Sequence, residues 1–226
     1  KILSVILTNE CVGDPDEPWN SANFGLHRLL RDWGEGDNFA TLPRNATNAG
    51  PNEANWAYRF AFTTNTWGVP GGQAGVDYVS VPSATQFIYD AGLFYTFGPS
   101  AKMIEDIQRW LDSPSENFGW MVIIQNETQD FTARRIASRE DVFDTPKLGI
   151  DFVPPPPIES ARWVGNQFNI TFTAPPGQTY LVQFRNALGS GTWEPLAQVG
   201  PFAQTNAVVV VDSVLYTQRF YRIIVK

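Results

Sequence analysis

The chain has 226 residues and a formal net charge of −7, with 14% aromatic and 17% charged residues. An acidic balance with no cluster of Lys or Arg makes nucleic acid and anionic membranes poor partners. No apolar run approaches the ~18 residues that cross a bilayer as a helix, and a single cysteine with a single histidine excludes an intrachain disulfide and the usual structural zinc sets.

The length admits one large domain or two smaller ones. Eight Trp, 16 Phe and 7 Tyr, beside many Thr, Val, Gly and Pro, favour strands and turns over helices, so an all-β fold is expected. Residues 1–8 read as a strand. They open at Lys1 directly in the apolar run Ile2-Leu3-Ser4-Val5-Ile6-Leu7, as if met partway into a domain, through processing or because the sequence is a fragment. Residues 13–20 form an acidic, turn-rich loop. Phe24 to Trp33 alternates as a second strand, and 34–55 is a long irregular loop of the kind that carries function or packs on a face. Strands are expected at 56–62, 76–81 and 87–97, with the glycine-rich turn Gly68-Val69-Pro70-Gly71-Gly72 between the first two.

The one convincing helix spans Ser100 to Asp112. Met103, Ile104, Ile107, Trp110 and Leu111 fall on a single stripe, Glu105 and Arg109 form an i,i+4 pair, and Ser113-Pro114 ends it. Strands resume at 118–125, 131–138 and 147–152. Pro154 to Pro157 then interrupt everything, because proline has no N–H to donate and a fixed φ. The run predicts an extended spacer of roughly 12 Å at ~3.1 Å per residue. It divides the chain into a domain at 1–152, a polyproline linker at 153–158 and a second domain at 159–226. In the latter, strands are expected at 161–164, 167–173, 179–185, 192–199, 207–212 and 219–225. That pattern, with turns at Pro175-Pro176-Gly177 and Gly189-Ser190-Gly191, predicts a small sandwich. Stiffly spaced modules of this kind are common in extracellular binding and structural proteins.

Several motifs of the first domain occur in a familiar order. His27-Arg28-Leu29-Leu30-Arg31-Asp32-Trp33-Gly34-Glu35-Gly36-Asp37 comes first, then Ala54-Asn55-Trp56 and Gly71-Gly72. Asp106-Ile107-Gln108-Arg109-Trp110-Leu111 leads to Pro114 and Asn117-Phe118-Gly119-Trp120, and Ile136-Ala137-Ser138-Arg139-Glu140-Asp141 closes the set. In this order 1–152 resembles the DNRLRE (disaggregatase-related) β-sandwich modules of secreted bacterial and archaeal proteins. The resemblance implies a jelly-roll-like antiparallel β-sandwich with one short helix, in a family that accompanies polysaccharide-active enzymes and adhesins and includes alginate-binding modules. The family has further strands before the position of Ile2. Their absence here predicts an unpaired sheet edge along Ile2 to Leu7, filled by a strand from a neighbouring subunit unless the sequence is simply truncated. The tail carries Phe168-Asn169-Ile170-Thr171-Phe172, Tyr180-Leu181-Val182-Gln183 and Gln218-Arg219-Phe220-Tyr221-Arg222. It is similar to a fibronectin-III/immunoglobulin-like domain that ends many secreted bacterial proteins, which implies a spacer or attachment role.

Candidate chemistry is sparse. His27, between Leu26 and Arg28 in a strand, is badly set for a catalytic triad, and Cys11 has no base near it in sequence; the chain reads as no enzyme. Asp14, Asp16 and Glu17 on one loop, and Asp32, Glu35 and Asp37 on another, are either solvated loop charges or ligands of a structural Ca²⁺; no other cofactor is expected. Glu35 and Asp37 could in principle flank a glycosidic bond, with nothing further to support it. Trp19, Trp33, Trp56 and Trp67 lie in or beside polar loops and are either core or a sugar-binding platform, whereas Trp110 and Trp120 read as core. Asn45, Asn126 and Asn169 begin Asn-x-Ser/Thr sequons. The expected function is a non-catalytic secreted protein, structural or adhesive at the cell surface or in extracellular matrix. It could be the subunit of a filament that self-associates through Ile2 to Leu7. The alternative is a carbohydrate-binding accessory module of a polysaccharide-degrading enzyme.

Overall fold

A computed structural model describes residues 1–15, 20–35, 48–213 and 218–226. Among them the protein is all-β apart from one 12-residue α-helix and a 3₁₀ turn at Pro114–Glu116, with its strands in several small antiparallel sheets. The chain separates into two compact units, residues 2–151, and Lys1 together with 152–226.

In the first unit, β1 (Ile2–Gly13) runs antiparallel to β4 (Leu93–Phe97), with Leu7 opposite Phe97 and Cys11 opposite Leu93. The short β6 (Arg135–Ile136) joins β1 at Cys11 and Gly13 across a bulge, and β7 (Lys147–Phe152) also pairs with β1. Of the segment Ile2 to Leu7, where an open edge is expected, only Leu7 lies in register with β4. Where β1 and β7 meet, Lys1 and Val153 exchange two hydrogen bonds, of 2.9 and 2.8 Å. A second sheet places β2 (Ala22–Arg28) between β3 (Ala84–Ile88) and β5 (Trp120–Ile124).

Both sheets and α1 (Ala101–Asp112) contribute to one core, which holds Val5, Cys11, Phe24, Leu26, Phe97, Met103 and Trp110. Ser100 caps the helix, its Oγ accepting the Met103 N–H at 3.1 Å, as a first-turn donor requires. The apolar stripe holds at Met103, Ile107 and Trp110, whereas Leu111 is 64% exposed. Arg109 reaches Glu116 at 3.3 Å rather than forming the expected ion pair with Glu105. One turn of the stripe is polar. Asp106 is buried and accepts from Ser83 Oγ at 2.5 Å and Trp120 Nε1 at 2.7 Å, with Arg28 Nε at 2.9 Å. A buried carboxylate survives there because three donors replace its water.

Five expected strands differ. The run from Phe24 to Trp33 ends as a strand at Arg28, and of 131–138 only the two residues of β6 are strand. Residues 56–62 and 76–81 are turns joined by isolated bridges such as Tyr58 to Thr66 and Leu29 to Tyr78. The run 87–97 breaks into β3 and β4 at a tight turn, where Gly92 takes φ +75° and the Tyr95 hydroxyl accepts the Asp90 N–H at 3.0 Å.

The second unit holds β8 (Ser160–Val164), β9 (Gln167–Ala174), β10 (Tyr180–Arg185), β11 (Glu194–Val199), β12 (Asn206–Asp212) and β13 (Phe220–Val225). They form two three-stranded sheets, β12-β9-β8 and β11-β10-β13. Ile170, Phe172, Tyr180, Val182, Val210 and Ile223 come from both sheets and make its core. Asp212, 1% exposed, is held by Arg219 and by the Tyr221 hydroxyl, which donates at 2.9 Å. Burial, reinforced by Asp212, pushes the Tyr221 phenol up to about 12.

Candidate functional site

A cleft of about 500 Å³ opens in the first unit, a size usual for ligand sites. One wall is the segment from Asn55 to Gly71; the other is β5, with Met121 and Ile123, and the following loop, with Glu127, Thr132 and Ala133.

The first wall is built by local polar chemistry. Asn55 Oδ1 accepts the Ala57 and Tyr58 N–H groups at 2.9 and 2.8 Å, an Asx turn. The Asn55 carbonyl accepts from Trp67 Nε1 at 2.8 Å, which fixes the indole of Trp67 at 6% exposure. Asp77, fully buried, pins the rest of the segment by accepting from the Gly68 and Gln73 N–H groups at 2.7 and 2.8 Å and from Arg31 at 3.1 Å.

Trp56 stands at the rim and is 68% exposed. Its ring rests against Gly71, where a β-carbon would lie 2.4 Å from Cη2 and φ is +85°. The Gly71 N–H donates to the Trp56 carbonyl at 2.7 Å, so backbone and ring are fastened at the same point. The result is a large aromatic face presented to solvent and held from behind. Beside it are Asn55, whose Nδ2 has no partner among the described residues, and Glu127, whose carboxylate forms no ion pair among them.

Of the four tryptophans singled out in the sequence, Trp56 and Trp67 meet in this cleft, the first as rim and the second as buried wall. Trp33 is half-buried and donates from Nε1 to the Phe118 carbonyl at 2.8 Å, away from any platform. Trp19 lies outside the described residues. Trp110 and Trp120 pack edge to face with ring centroids 4.5 Å apart.

Among the described residues no group of three His, Cys, Asp or Glu could hold a metal ion. Asp14 accepts the Ala91 N–H at 2.9 Å, Asp32 accepts the Trp33 N–H at 2.9 Å, and Glu35 pairs with Arg139 at 3.2 Å. Asp16, Glu17 and Asp37 lie outside the described residues, as does Asn45. Asn126 sits in an exposed turn, accepting from Thr128 N and Oγ1 at 3.1 and 2.7 Å. Asn169 is in the middle strand β9 with its Oδ1 buried and unpartnered.

His27 is 4% exposed and fully engaged. Its Nδ1 lies 2.8 Å from the Val79 carbonyl and its Nε2 3.1 Å from Gln125 Nε2, with Tyr78 edge-on at 5.2 Å. The Nδ1–H tautomer satisfies both bonds. Cys11 is fully buried, and burial raises its thiol above the ordinary value, which suits packing rather than attack.

Sequence reasoning missed Glu127, Met121 and Asp77. In the sequence Asn55 and Gly71 stand out only as parts of motifs, although an Asn before Trp and a paired glycine are the visible traces of the Asx turn and of the ring seat. Comparison of the chain with protein-family models, with curated proteins and with solved structures gave no match.

Proposed function

We propose that this is a non-catalytic, extracellular adhesive protein whose first unit binds polysaccharide in the cleft beside Trp56. The exposed, seated indole of Trp56 carries the reading. Sugar rings expose apolar C–H faces and a rim of hydroxyls, so an aromatic plate beside hydrogen-bonding groups complements them. The cleft also lacks a second carboxylate to partner Glu127 among its described lining residues, which favours binding over glycoside hydrolysis.

In this reading the first unit is a jelly-roll-like sandwich, in keeping with two sheets and one helix around a shared core. The second is a fibronectin-III-like spacer. Its first, second and fifth strands share a sheet apart from the third, fourth and sixth, the division of an immunoglobulin-type Greek key. The exposed face of Trp56 favours glycan adhesion over assembly by strand donation at Ile2 to Leu7.

Affinity electrophoresis through gels containing soluble polysaccharides tests the proposal. Retardation by at least one polymer is expected, with loss of most of it on Trp56→Ala and an unchanged melting temperature, because an exposed ring contributes little to folding. Undiminished retardation of the variant would overturn the assignment.

A further inference from the structure

We infer that the cleft accepts a neutral polysaccharide chain and discriminates against uronate polymers, a conclusion that rests on reading the cleft as a glycan site. Three observations lead there. Glu127 is the one charged side chain lining the cleft among the described residues. No arginine is among the described lining residues, and two that lie near them in sequence, Arg134 and Arg59, are engaged with backbone carbonyls. Arg134, next to Ala133, donates from Nη1 to the Ala133 carbonyl at 2.8 Å and from Nη2 to those of Asn20 and Tyr89 at 2.9 and 2.8 Å. Arg59 donates to the carbonyls of Asp32 at 2.5 Å and Thr66 at 3.3 Å. Finally, the whole chain is acidic, at −7.

A uronate chain carries one carboxylate per sugar and is recognised by Arg or Lys forks. Among the described residues the lining supplies none, and its one charged group, Glu127, is itself a carboxylate. Sugar hydroxyls are different. Glu127 can accept from two of them through charge-assisted bonds, Asn55 Nδ2 can donate to another, and the Trp56 face covers the C–H groups between. A carboxylate and a uronate about 6 Å apart in a solvated cleft repel enough to weaken binding roughly three- to tenfold at low salt.

The experiment is affinity electrophoresis of the whole chain at low ionic strength. Neutral gels contain β-glucan, xylan or galactomannan, and acidic gels contain alginate, polygalacturonate or glucuronan. Wild type, Trp56→Ala, Glu127→Gln and Glu105→Gln are compared; Glu105 is exposed on α1 and controls for net charge. The expected result is retention on a neutral gel that depends on Trp56, and a three- to tenfold gain in uronate affinity for Glu127→Gln but not Glu105→Gln. Retention on an acidic gel at least as strong, and lost in Trp56→Ala, would overturn the neutral-sugar inference while leaving the glycan site intact. An equal gain in both glutamine variants would overturn it too, by assigning the effect to overall charge. Failure of every polymer to retain the wild type would bring down the glycan site itself, and this inference with it.

Discussion

Trp56 owes its position to Gly71. The indole lies where any β-carbon at residue 71 would collide with it, and the backbone there is left-handed, at φ +85°. Gly71→Ala should therefore cost about 1–2 kcal/mol from backbone strain alone, and it should also dislodge the ring. The expected outcome is a lowered melting temperature together with weakened polysaccharide retention, whereas Trp56→Ala weakens retention only. Comparing the two by calorimetry and affinity gel separates the seat from the face it holds. Cys11 and His27 are the opposite kind of residue, chemically reactive types that the fold has fully occupied with packing and hydrogen bonds.

Among the elements, α1 is held by a polar bolt inside an apolar stripe. Asp106 binds Arg28, Ser83 and Trp120, from β2, from the approach to β3 and from β5. Asp106→Ala would strand those donors, and breaking a buried ion pair costs about 3–5 kcal/mol; chemical denaturation followed by tryptophan fluorescence should register the loss. The helix was readable in the sequence because Met103, Ile107 and Trp110 repeat with the helical period, and Ser100 sits where a cap belongs. So were the strands of the second unit, whose alternation is local and whose turns carry Pro and Gly. The segments 56–62 and 76–81 were not readable. Their aromatic and β-branched residues resemble strands, but Ala57 and Tyr58 donate to the Asn55 side chain, Arg59 and Ala61 to the carbonyls of Asn65 and Glu53, and Val79 to that of the distant Arg28, a mixture of local and long-range bonds that no sequence period announces. The cleft was half legible for the same reason. Its tryptophans stood out, whereas Glu127 and Met121 arrive from a distant strand and its loop.

On the scale of the whole molecule, each unit has a core of its own. Ile170 lies at 0% exposure in the middle strand of the second unit. Ile170→Ala should destabilise that unit by about 2–5 kcal/mol and leave polysaccharide retention by the first unit unchanged at temperatures where both are folded. Calorimetry and affinity gels on the same variant check both halves of that statement. The pairing of β1 with β7 has another consequence, which concerns time. Lys1 and Val153 are hydrogen-bonded across 152 positions of sequence. At a synthesis rate of about 5–20 residues per second, the start of β1 exists for roughly 8–30 s before the strand that receives it. Its distal half can join β4 sooner, once Phe97 has been made. The Ile2 end, with apolar side chains destined for the core, waits longest, and is the stretch of the nascent chain for which a holding chaperone has most to do.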